Sequence, residues 1–142
     1  MKDVITKEQI LNHPIDKVWK AISTQEEISA WFISADFKAE KGYQYTFTAT
    51  EERGCLQITG EVKDATPYKL VYTWIVQGTT TETTVSWMLE ELENGTKLSL
   101  EHSGISNYPD EETATAMFSS FNGGWDNCML ELSQFLIKEV NV

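Results

Sequence analysis

The chain has 142 residues, 41% of them hydrophobic and 23% charged, and its 22 acidic residues outnumber 11 basic ones for a net charge of −11. That length and composition suit one folded domain with its own apolar core and exclude a disordered chain. With Arg53 as the single arginine, neither nucleic acid nor an anionic membrane surface is an expected partner.

The order of the residues excludes more. No apolar run approaches the roughly 18 residues of a membrane-spanning helix, and Met1–Glu8 has no signal-peptide apolar region. A cytoplasmic location without membrane insertion is therefore expected. Cys55 and Cys128 show no paired spacing and read as small buried hydrophobes. Asn94-Gly95-Thr96 matches a glycosylation acceptor, but without secretion it reads as a hairpin turn, because Asn-Gly suits type I′ geometry.

Residues 3–11 read as a first strand, with Val4, Ile5, Ile10 and Leu11 as its apolar members. Pro14 suits a helix start, and Ile15, Val18, Trp19 and Ile22 follow at helical spacing. Thr24 and Glu27 form a capping-box pattern that begins a second helix, with Ile28, Trp31 and Phe32 as its buried face. Over residues 42–50 the aromatics fall on alternate positions, placing Tyr43, Tyr45 and Phe47 on one face of a strand. Arg53-Gly54 marks a turn, and residues 55–63 alternate with Leu56, Ile58 and Val62 on one side. After Pro67, the run from Leu70 to Val76 is apolar enough for both its faces to be covered. Val85, Trp87 and Leu89 form the next strand; past the Asn94-Gly95 turn, Thr96, Leu98, Leu100 and His102 share one face of another. Five such strands with short turns predict an antiparallel meander. From Pro109-Asp110 onward, apolar residues from Met117 to Val140 recur every three or four positions. This predicts a helix of about 28 residues, or about 42 Å. Gly123-Gly124 is expected to interrupt it, through close packing, a kink or a later helix start.

Several side chains on these elements can carry chemistry. Tyr43, Tyr45, Phe47, Trp74 and Trp87 can line a pocket or simply pack a core. His102 ends an inward face and can bond a ligand or act as a base, or can be satisfied by a backbone group or water. His13, just before Pro14, reads as a helix-start residue. Trp125 can seal one end of a cavity, with Gly123 and Gly124 letting the helix backbone approach the sheet or a ligand. Met117, Phe118, Phe121 and Met129 can supply an adaptable wall or core. Glu51-Glu52, Glu90-Glu91 and Glu111-Glu112 read as solvated surface rather than catalytic carboxylates. The His and Cys positions show no metal-ligand spacing. Thus no catalytic residue, metal or cofactor is expected.

In order and spacing the chain resembles the START-like, birch-pollen-allergen-like helix-grip superfamily, also called SRPBCC. Within it, the chain is similar to the branch homologous to the activator of the heat-shock-protein-90 ATPase. The resemblance is carried by residues 13–19, Ile28-Ser29-Ala30-Trp31-Phe32, Gly60-Glu61-Val62, residues 70–74, residues 96–104 and Gly124-Trp125. It implies an α+β fold of β-α-α-β-meander-α order over residues 1–142 as a single domain, its curved antiparallel sheet wrapped around the C-terminal helix with a cavity between. In related proteins that cavity takes lipids, polyketides or other apolar small molecules. A hydrophobic small-molecule ligand is accordingly expected here, lined by Trp31, Tyr43, Tyr45, Phe47, Tyr72, Trp74, Trp87, His102, Phe118, Phe121, Trp125 and Met129. The alternatives are a chaperone or other protein partner, or an aromatase- or cyclase-type enzyme. Eukaryotic activators carry an additional N-terminal domain, for which this length leaves no room, so direct co-chaperone activity is not expected. Either a monomer or a homodimer is compatible with these features.

Overall fold

The alternating segments pair into one antiparallel sheet, seen in a computed structural model that describes residues 3–51 and 54–140. Its strands are β1 (Ile5–Leu11), β2 (Ser34–Asp36), β3 (Gln44–Glu51), β4 (Gly54–Thr66), β5 (Lys69–Val76), β6 (Thr83–Leu92) and β7 (Gly95–Ser103). The seven strands lie in the order β1-β7-β6-β5-β4-β3-β2. The sheet is curved and not closed. Strands β3 to β7 are the expected meander, and β1 closes against its last strand, Ile5 opposite His102 and Leu11 opposite Thr96. Two short helices, α1 (Ile15–Ser23) and α2 (Gln25–Trp31), link β1 to the sheet's far edge, and α3 (Glu111–Val140) follows β7 after a single 3₁₀ turn at residues 105–107. The three-residue β2 was not expected, because so short a strand has no readable alternation. The Arg53-Gly54 turn and the side chains of Cys55, Leu56 and Val140 lie outside the described residues.

In β1 the pleat turns Ile5, Lys7, Gln9 and Leu11 inward and leaves Ile10 60% exposed. The two inward polar residues fasten α3. Lys7 Nζ donates to Asn122 Oδ1 at 2.6 Å and pairs with Asp126 at 2.8 Å, while Gln9 Nε2 donates to the Met129 carbonyl at 3.1 Å. Lys17 of α1 reaches the Leu136 carbonyl at 2.9 Å, near the helix C-terminus, where a cation complements the helix dipole.

Three local expectations are corrected. Thr24 does begin α2, but its hydroxyl donates back to the Lys20 carbonyl at 2.8 Å instead of capping the new helix. In the β6–β7 hairpin Leu92 pairs with Gly95, so the turn residues are Glu93 and Asn94. Neither has positive φ, which rules out type I′. Gly95 instead lets the Leu11 carbonyl approach closely. Finally, α3 runs 30 residues straight through Gly123-Gly124. A Cβ at either glycine would have open space around it, so these glycines permit no close approach. Asp110 starts that helix, its Oδ1 accepting from the Thr113 N–H at 2.7 Å and its Oδ2 from the Thr113 hydroxyl at 2.8 Å.

The β4–β5 hairpin turns at Pro67-Tyr68, with Tyr68 at φ +72°, a conformation glycine would adopt freely. Its side chain offsets that strain by docking on α1: the phenol donates to Asp16 Oδ1 at 2.5 Å, and the ring meets the Trp19 edge at 6.2 Å. Gly60, by contrast, is required by space. Strand β4 bulges between Val62 and Asp64, and a Cβ on Gly60 would overlap the Thr73 carbonyl of β5. Gly60→Ala should therefore lower unfolding free energy by more than about 2 kcal/mol in urea titration. Gly123→Ala should raise it by up to about 1 kcal/mol.

Candidate functional site

The C-terminal half of α3 is sunk into the core through Trp125, Cys128, Met129, Leu132 and Leu136, all buried. Toward its N-terminus the helix is less deeply set, with Met117, Phe118 and Phe121 half-buried. Beneath it lies a partly open pocket of about 410 Å³. Phe32 and Ile33, at the end of α2, form one wall; Ile58 of β4 with Trp74 and Val76 of β5 form the floor. Met117, Ser120, Phe121, Gly124, Trp125 and Cys128 come from α3. The lining carries no carboxylate, ammonium or imidazole. Burial pushes the Cys128 thiol up to about 12, so it stays protonated and non-nucleophilic at neutral pH.

Of the twelve residues expected around a cavity, Trp74, Phe121 and Trp125 are in this wall. Trp31 sits one layer behind, stacked on Phe32 at 5.3 Å with its Nε1 donating to the Ala21 carbonyl at 2.7 Å. Tyr45, Phe47 and Tyr72 pack with Phe37 as a buried aromatic cluster. The Tyr45 hydroxyl donates to the Thr73 carbonyl, and burial raises both tyrosine pKa values. Trp87 is buried and donates from Nε1 to the Tyr72 hydroxyl at 2.9 Å. Met129 lies in the core, and Phe118 packs at the core's edge outside the pocket. Tyr43 precedes β3 and faces the surface, its phenol bonded to Asp36 and the Lys38 ammonium 5.9 Å from its ring.

His102 is fully buried behind the pocket wall, stacked on Phe121 at 4.7 Å. The Trp125 Nε1–H donates to its Nδ1 at 2.9 Å. That leaves the proton on Nε2, which donates to Thr83 Oγ1 at 2.7 Å. Thr83 in turn donates to the Trp74 carbonyl at 3.3 Å. Both ring nitrogens are thus engaged, with no lone pair turned to the pocket for base chemistry. Desolvation lowers the His102 pKa to about 4, so the ring is neutral.

Sequence reading missed Phe32, Ile33, Ile58, Val76, Ser120, Gly124 and Cys128 as lining residues. The α3 members were nonetheless recoverable: Met117, Phe121, Gly124 and Cys128 recur at three- and four-residue spacing along one stripe. The exposed pairs Glu90-Glu91 and Glu111-Glu112 lie outside the pocket, and among the described residues no group of His, Cys, Asp and Glu could hold a metal ion. The side chains of Glu51-Glu52 are outside the described residues. No helix among the described residues is long and apolar enough to cross a membrane.

The family described as Activator of Hsp90 ATPase homolog 1-like protein matches residues 12–136. Protein BH1534 of Bacillus halodurans is 31% identical, with a TM-score of 0.74 over 96% of this chain and 97% of that one. Protein MLL2253 of Mesorhizobium loti is 25% identical, with a TM-score of 0.81 over 95% and 97%. DynU16, a protein in the dynemicin biosynthetic locus, shares the fold at 20% identity and a TM-score of 0.81, over 96% of this chain and 48% of its own. No curated protein matches.

The His102 geometry has a pH consequence. A histidine at about 4 when folded and near 6.5 when unfolded makes the unfolded state bind more protons between those values. The native state is then favoured in full above about pH 6.5 and loses up to about 3 kcal/mol as pH falls to 4. His102→Gln, which keeps an acceptor and a donor, should flatten that part of the stability–pH curve relative to wild type, measured by urea unfolding at each pH.

Proposed function

Because the chain belongs to the family of Activator of Hsp90 ATPase homolog 1-like proteins, we propose that it binds a hydrophobic or aromatic small molecule, lipid-like or polyketide-like, between the sheet and α3. The observation that carries this reading is the apolar pocket of about 410 Å³ lined by α3 from Met117 to Cys128. Its volume is in the usual ligand range of about 300–1,000 Å³. The family match and the shared fold with DynU16 of a biosynthetic locus support the same reading.

Burying an apolar guest there removes its surface from water at about 25 cal/mol per Å² before the costs of association. Two tryptophans, two phenylalanines and a methionine give the wall large, polarizable faces suited to rings and chains. Gly124 matters for space: at the rim of the pocket a Cβ would meet nothing within 4 Å.

Purified protein should carry, or accept, an apolar small molecule. Mass spectrometry under native and then denaturing conditions checks for a co-purified species. Saturation by a ligand at about 100 times its Kd should stabilise the fold by about 2.7 kcal/mol, read as a rise in Tm. Gly124→Leu should fold at least as stably as wild type and lose most of that rise, because the new side chain occupies the pocket. A wild-type protein that neither carries such a molecule nor responds to a panel of apolar aromatics and lipids would refute the proposal.

A further inference from the structure

We propose that the pocket selects uncharged molecules bearing a hydrogen-bond acceptor, and that the indole N–H of Trp74 is the group that reads that acceptor. This rests on the pocket being a ligand site, and names what kind of ligand it takes.

Three buried indoles in this chain have matched acceptors. Trp31 donates to the Ala21 carbonyl, Trp87 to the Tyr72 hydroxyl and Trp125 to His102 Nδ1, at 2.7–2.9 Å. Trp74 does not: it is 5% exposed, and its Nε1 is buried with no hydrogen-bond partner among the described residues. Native interiors rarely leave such a donor unmatched, since its lost hydration is repaid by nothing. Trp74 is also a floor residue of the pocket, with its Nε1 covered, so an acceptor in the pocket reaches it once a neighbouring side chain shifts. Phe121, half-buried, lining the pocket and edge-on to the Trp74 ring at 6.3 Å, is the neighbour this proposal requires to shift. Ser120, exposed at the mouth, adds a second neutral polar group.

Charge is excluded for a separate reason. The lining has no cation to pair with a carboxylate and no anion to pair with an amine, and the protein's charge of −11 opposes anions at longer range. An ion entering this wall would lose its hydration without compensation. A neutral ketone, ester or ether loses little and gains the Trp74 hydrogen bond.

Three probes of one shape test this: 2-acetylnaphthalene, 2-ethylnaphthalene and 2-naphthoate, titrated at pH 7 against the wild type and Trp74→Phe. The ketone should bind wild type roughly tenfold tighter than the hydrocarbon, and the carboxylate should bind more weakly than both. Trp74→Phe should abolish the ketone's preference over the hydrocarbon, read as the ratio of the two affinities within that variant. Should the variant fail to fold, the Trp74 indole N–H resonance of the wild type decides: it should move downfield with the ketone and not with the hydrocarbon. Equal binding of ketone and hydrocarbon, a preference that survives Trp74→Phe, or a carboxylate binding as tightly as the ketone would overturn this inference and leave the ligand pocket standing. If none of the three binds, this inference falls, while the ligand pocket is decided by co-purification and the wider panel of aromatics and lipids.

Discussion

The relay from the Trp125 indole through His102 and Thr83 to the Trp74 carbonyl crosses the interior and joins α3 to β7, β6 and β5. Apolar contact is non-directional, so a helix laid on a sheet by that force alone can rotate or slide at small cost. A chain of directional bonds between buried groups admits one rotation, since any other leaves donors and acceptors unpaired. The clasp of Lys7, Gln9 and Lys17 on α3 acts at the β1 side. Held at its middle and at that edge, α3 sinks its C-terminal half into the core, and its stretch from Met117 to Cys128 lines the pocket opposite Ile58, Trp74 and Val76 of β4 and β5.

The pocket wall and the relay share their members. Trp74 and Trp125 belong to both, and Phe121 stacks on His102 while facing the pocket. The low polarity that keeps His102 neutral and the Cys128 thiol protonated is the same environment a ligand would meet. The large negative charge stays on the outer surface, where it favours solubility and contributes no group to the pocket lining.

Glycine serves opposite purposes in this molecule. Gly60 sits where two strands cross too closely for any side chain, so its absent Cβ permits contact. Gly123 and Gly124 lie in the middle of a 30-residue helix with open space beside them. They weaken α3 by about 1 kcal/mol each relative to alanine. At Gly124 that loss coincides with an unobstructed pocket rim, a place where extra stability would narrow the space available to a guest.

Apart from the three-residue β2, sequence alone determined the element order, because hydrophobic period is a local property: alternation over 43–47 and 96–102, and three- and four-residue spacing after Met117, each declare their structure without a partner. It did not distinguish wall from core, since Tyr45, Phe47 and Tyr72 carry the same apolar pattern as Trp74 and differ only in what lies opposite them. Tertiary structure decided that difference by where α3 comes to rest. It decided likewise that His102 is consumed by two hydrogen bonds, that the β6–β7 register pairs Leu92 with Gly95 and so puts the turn at Glu93-Asn94, and that Ile58, Val76, Ser120 and Gly124 border the pocket. Each of these depends on the distance between groups far apart in the chain, and a period of two or of 3.6 residues carries no such distance.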